Sequence, residues 1–92
     1  MIDDNTQPYT ELKTDGYILR EFDSDIDVDE LIWHRDTNDR IVEIVQGIGW
    51  KFQLDNKVPI DLAVGDTITI PKEIYHRIIC GNSKLIIKIK EY

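Results

Sequence analysis

Gly65-Asp66-Thr67-Ile68-Thr69-Ile70-Pro71-Lys72-Glu73-Ile74-Tyr75-His76-Arg77-Ile78-Ile79-Cys80 is the stretch on which the fold of this chain turns. Thr67 to Ile70 is β-branched throughout and alternates polar and apolar residues with a period of two, the signature of a strand with one face inward. Gly65-Asp66 in front of it and Pro71-Lys72 behind it are turn chemistry, since glycine admits positive φ and proline removes a ladder donor. A second strand-like run begins at His76 and extends to Cys80. In a strand, side chains two apart share a face, so His76, Ile78 and Cys80 look one way and Tyr75 and Arg77 the other.

The same short, punctuated pattern continues on both sides. Candidate strands run over 17–22, 31–34, 40–46, 50–54, 59–63, 67–70, 76–80 and 85–90. Gly47-Ile48-Gly49, Asp55-Asn56 and Gly81-Asn82 fill gaps between them with hairpin or corner residues. Trp50, Phe52 and Leu54 oppose Lys51 and Gln53, and Leu85, Ile87 and Ile89 oppose Lys88 and Lys90. No ten-residue window holds a helical stripe, so the expectation is an all-β antiparallel sandwich or barrel of about eight short strands. Ile41 to Val45 is apolar on both faces apart from Glu43, which predicts cover by a second sheet or a second subunit, and hence a homodimer. Residues 1–16 show no sustained period and read as an N-terminal arm, leaving 17–92 as one domain.

Charge narrows the partners. Eighteen acidic residues against eleven basic ones leave a formal charge of −7, and the basic residues Lys84, Lys88 and Lys90 are interrupted by an apolar strand pattern. Nucleic acid and anionic membrane surfaces are therefore not expected partners. No apolar run approaches the roughly 20 residues of a spanning helix. The acidic start Met1-Ile2-Asp3-Asp4-Asn5 lacks the features of a secretory signal, and the single cysteine, Cys80, permits no internal disulfide, so the expected compartment is the cytoplasm.

His34-Arg35-Asp36 supplies chemistry. By strand parity His34 and Asp36 face one way while Trp33 and Arg35 face the other, and a histidine from a neighbouring strand, His76, completes a possible set of metal ligands. Two imidazoles and one carboxylate on one side of an ion leave the opposite positions open, the arrangement of non-haem Fe(II) oxygenases.

Residues from about Tyr17 to Tyr92 resemble the cupin superfamily, whose second motif runs Gly, five residues, Pro, x, Gly, two residues, His, three residues, Asn. Gly65, Pro71 and His76 stand in register with it, while Glu73 replaces the second glycine and Cys80 the asparagine, which predicts a differently shaped turn after Pro71. The first motif runs His-x-His, three or four residues, Glu, six residues, Gly. Here His34 and Gly47 match, Asp36 stands in the place of the second histidine, and Arg40 in the place of the glutamate. The resemblance implies a double-stranded β-helix, or jelly-roll, barrel with a divalent metal held by His34, Asp36 and His76. Fe(II) is the first expectation, with manganese, zinc or nickel as alternatives. Arg40 cannot ligate, because a guanidinium has no acceptor. It either orients an anionic group of a small-molecule ligand or neutralises Asp36 and Asp39.

Two functions from different classes follow. One is a metalloenzyme of dioxygenase or isomerase type acting on a small polar organic molecule. The other is a metal-free barrel that binds a sugar or organic acid, or serves assembly, with Asp36 and Arg40 paired at its mouth. No catalytic residue beyond the ligands is assigned. Cys80 is expected to be a buried inert thiol, and Trp33 and Trp50 core or interface residues. The run Asp23 to Glu30 fails as a calcium loop, since Val28 stands where the loop glycine is required.

Overall fold

A computed structural model of the chain describes residues 9–24 and 33–92. Within them lie eight strands: β1 (Tyr9–Lys13), β2 (Ile18–Phe22), β3 (Arg40–Gln46), β4 (Lys51–Leu54), β5 (Ile60–Asp61), β6 (Thr67–Ile70), β7 (His76–Ile79) and β8 (Leu85–Glu91). A five-stranded sheet has the order β1-β2-β8-β3-β6 and a three-stranded sheet the order β5-β4-β7, with every pair antiparallel. Among the described residues no helix is long and apolar enough to cross a membrane.

The core follows from strand parity. Val42 and Ile44 of β3, Leu85, Ile87 and Ile89 of β8, Phe22 of β2 and Ile70 of β6 face Phe52 of β4 and the neighbouring Trp50. Rows of inner residues are set by register, for example Ile18 opposite Ile89 and Ile89 opposite Val42. Between Ile44 and Gln46 the pairing with β8 slips. Such a bulge bends a strand, and it leads here into Gly47 and the turn before β4. Trp50 is fully buried, donates from Nε1 to the Ser83 carbonyl at 2.7 Å, and packs on Phe22 with ring centroids 6.0 Å apart. Only glycine fits at position 81, where a Cβ would lie 2.4 Å from the Ile48 carbonyl oxygen and 2.5 Å from the Trp50 nitrogen.

Two expectations are corrected, and a third falls partly outside the described residues. Residues 9–13, read as part of an arm, form β1 and pair with β2 along its whole length. The sequence signal is weak because an edge strand needs no apolar alternation: only Tyr9 is packed against the core, and the other four residues of β1 are exposed. The turn after Pro71 keeps the conformation that glycine would take, since Glu73 has φ 63°. Its strain, of order 1 kcal/mol for an L-residue, is offset by a 2.7 Å hydrogen bond from its nitrogen to the Asp36 carbonyl and by a 3.5 Å ion pair with Arg35. Of the strand expected over 31–34, residues 31 and 32 lie outside the described residues, and His34 contributes a single bridge to His76. The outer face of β3 is only partly covered, with Ile41 half-buried and Val45 exposed.

Candidate metal centre

His76 opens β7 and pairs with Leu54 of β4 on one side and with His34 on the other. The His34 bridge is made by two backbone bonds, His34 nitrogen to His76 oxygen at 3.0 Å and His76 nitrogen to His34 oxygen at 2.8 Å. Residues directly opposite across an antiparallel pair put their side chains on the same face, so the two imidazoles meet edge to face with centroids 4.3 Å apart. Asp36, two residues beyond His34, comes to the same face by parity and is held by the Glu73 bond to its carbonyl. One nitrogen or oxygen from each of His34, Asp36 and His76 lies within 4.8 Å of the others.

The hydrogen bonds around this cluster determine what its atoms can do. His76 Nδ1 is 2.9 Å from the Ile74 carbonyl oxygen. A carbonyl only accepts, so Nδ1 carries the proton and Nε2 of the neutral ring presents a bare lone pair. That Nε2 faces Asp36 Oδ2 at 3.3 Å. Oδ2 is buried and among the described residues has no hydrogen-bond partner, whereas Oδ1 lies 3.2 Å from Arg40 Nη1. Two acceptors therefore converge with no donor between them. A buried arrangement of that kind is unfavourable unless a proton or a cation sits between the lone pairs. The donor set fits a divalent ion: a backbone carbonyl fixes the tautomer of one histidine, and an arginine fixes the rotation of the carboxylate, as outer partners do for ligands in metal sites.

Burial pushes His76 below its ordinary pKa of 6.5. The charges of His34 and Arg40 act in the same direction, while the Ile74 bond and Asp36 oppose it. Because the folded value is depressed, the unfolded chain takes up this proton first as pH falls. The stability contributed by neutral His76 is present above about 6.5 and is lost as pH falls toward the folded value. In chelator-treated protein, the urea midpoint is expected to drop between pH 7.5 and pH 5.5, and to drop less in His76→Gln. An equal drop in both proteins would remove His76 as the cause.

Arg40, at the start of β3, is only 14% exposed in its side chain. Its Nε and Nη2 both lie 3.0 Å from Glu91 Oε2 on the facing position of β8. The guanidinium is thus engaged by two carboxylates, Asp36 and Glu91, and the three groups carry one net negative charge. Glu91 is a functional neighbour that sequence reading missed. Register places it opposite Arg40, and no local motif signals that. Asp39, whose Oδ1 accepts from the Lys72 nitrogen at 2.8 Å, ties down the turn after Pro71.

A cavity of about 370 Å³ runs from this cluster into the barrel, walled chiefly by apolar residues such as Val42, Ile44, Phe52 and Ile87. Phe52 also packs on His76, with centroids 5.8 Å apart. The remaining singled-out residues lie away from the cluster. Tyr75 is exposed with Arg35 above its ring at 5.4 Å. Trp33 is 38% exposed under Arg77, while Trp50 is core. The Cys80 thiol is half-buried and donates to the Ser24 carbonyl at 3.2 Å. Most of the acidic run from Asp23 to Glu30 lies outside the described residues.

No protein-family model and no curated protein matches the sequence. Solved structures do match by shape. The chain is similar to a cupin-2 domain-containing protein of Shewanella frigidimarina, with a TM-score of 0.57, 18% identity, and coverage of 91% of this chain and 79% of that one. It is similar to KdgF from Halomonas sp., with a TM-score of 0.62, 20% identity, and coverage of 90% and 76%. It is also similar to FeII HppE in complex with substrate, with a TM-score of 0.66 and 11% identity, covering 91% of this chain and about half, 52%, of the other.

Proposed function

We propose that this chain, which has the cupin fold, holds one divalent metal ion through His34, Asp36 and His76 and acts on a small organic molecule in the barrel. The observation that carries this reading is the pair of buried acceptors, Asp36 Oδ2 and His76 Nε2, 3.3 Å apart with no donor between them. Held by these three residues, such an ion would supply Lewis acidity to a molecule in the adjoining cavity. Fe(II) is the first candidate, because the His/Asp/His donor set is that of non-haem Fe(II) sites and a similar barrel is an FeII protein. Manganese, zinc and nickel remain chemically admissible for the same ligands. The chain's own residues do the rest: Arg40 holds Asp36, the Ile74 carbonyl holds the His76 tautomer, and the apolar walls accommodate the body of the organic molecule.

One observation favours the metal-free alternative. The Arg40–Asp36 contact at 3.2 Å is an ion pair, and a carboxylate shared with arginine is a poorer cation ligand. The deciding experiment is elemental analysis of protein purified without chelator or nickel resin, followed by anaerobic Fe(II) titration of the stripped protein. Near-stoichiometric metal, or saturable Fe(II) binding at one equivalent, is the expected result. Neither metal on purification nor Fe(II) uptake would leave the binding-module reading in its place.

A further inference from the structure

The inner face of β2 carries a charge that the metal site does not use. Ile18, Arg20 and Phe22 share that face. Phe22 belongs to the core and Ile18 packs against it, so Arg20 is a guanidinium set between two core positions. Its side chain is only 15% exposed, and it lines the same cavity as His34, Asp36 and His76. A cation so placed needs a partner. Glu11, directly opposite on β1, accepts from Arg20 Nε, and the guanidinium lies 4.3 Å from the centre of the Tyr9 ring. Among the described residues no other hydrogen bond reaches the guanidinium, so its two NH2 groups are available to a ligand.

The two ends of the cavity differ in charge. Glu11 Oε1 is also 3.8 Å from Lys13 Nζ, so Arg20, Lys13 and Glu11 together carry one net positive charge. Arg40 with Asp36 and Glu91 carries one net negative charge before any metal binds. On β8, Arg20 is opposite Ile87 and Arg40 is opposite Glu91, which separates the two levels by about 14 Å along the strand. Between them the wall is apolar, formed by residues such as Val42, Ile44 and Ile89.

The geometry points to Arg20 as the anion-recognising pole of the cavity, and to a small monoanionic organic acid with an apolar body as its ligand class. The inference rests on the reading that this cavity is the ligand site, and it is independent of which metal fills the other end. The cavity of 370 Å³ holds about a dozen non-hydrogen atoms, taking roughly 30 Å³ for each water-sized group. Arginine's fork prefers a carboxylate over a neutral amide of the same shape because the hydrogen bonds are charge-assisted.

The competing role for Arg20 is a clasp that only holds β1 to β2 through Glu11. The two roles separate in a titration of the full chain with hexanoate and with hexanamide, followed by NMR amide shifts. Wild type, Arg20→Gln and Glu11→Gln are compared, each stripped by chelator and again after anaerobic addition of Fe(II). Hexanoate is expected to bind at least about tenfold more tightly than hexanamide in wild type. The ratio should fall to near one in Arg20→Gln and hold or rise in Glu11→Gln. If Arg20→Gln does not fold, Arg20→Met keeps the apolar stem and carries the same expectation. No hexanoate binding, no preference in wild type, or an undiminished preference in the Arg20 variant would overturn the assignment. Metal content is read on the same samples. Missing metal with an intact acid preference would sink the metal site alone, and bound metal with no acid preference would sink the role of Arg20 alone.

Discussion

Asp36→Asn is expected to lower affinity for Fe(II) at least about 100-fold, since even the partners behind a ligand are worth 10–100-fold in metal sites. The substitution keeps the shape and leaves an amide oxygen for Arg40, which also retains Glu91 at 3.0 Å. It removes the anionic acceptor that faces His76 Nε2. The amide NH2 can instead donate to that nitrogen and satisfy it without a cation. The apo protein should therefore lose little stability, or gain some, while metal binding collapses. Anaerobic titration against a competing chelator, beside urea denaturation of the stripped protein, gives both quantities. Unchanged affinity with an unchanged fold would mean that Asp36 serves only Arg40.

Trp50→Ala is expected to cost about 4 kcal/mol, in the range for removing a large aromatic from a core. That is a large share of the roughly 5–15 kcal/mol that holds such a domain together. Trp50 has no exposed surface, touches Phe22, and satisfies the Ser83 carbonyl through Nε1. The close approach of Gly81 on its other side leaves little freedom for neighbours to collapse into the space. Trp50→Phe refills most of the volume but strands the Ser83 carbonyl, so it should cost less, about 1–3 kcal/mol. Urea midpoints followed by far-ultraviolet circular dichroism rank the two. Equal midpoints for wild type and Trp50→Ala would show that the packing around residue 50 is dispensable.

Much of the barrel was legible in the residues. Strands β4, β6 and β8 carry a period-two pattern, β2, β3 and β7 read as short runs rich in apolar and β-branched residues, and each of the six lies within a residue or two of its expected bounds. β1 was missed because an exposed edge strand has no inner face of its own to mark, apart from Tyr9. Glu73 reads as a break in a glycine position, yet the backbone keeps φ 63° there. The turn is dictated by what it closes, the Glu73 to Asp36 bond, more than by the propensity of the residue in it.

The candidate site divides along the same line. That His34 and Asp36 share a face is a property of any regular extended chain, so alternation alone suffices to expect it. That His76 lies opposite His34, Glu91 opposite Arg40, and Glu11 opposite Arg20 depends on which strands become neighbours and in what register. Register is chosen by the whole inner surface at once, because a slip of one residue would turn every core side chain of a strand outward. The bare lone pairs at one end of the cavity and the unengaged guanidinium donors at the other are consequences of that choice. They arise from burial and from partners brought together across the chain, which no local stretch of residues contains.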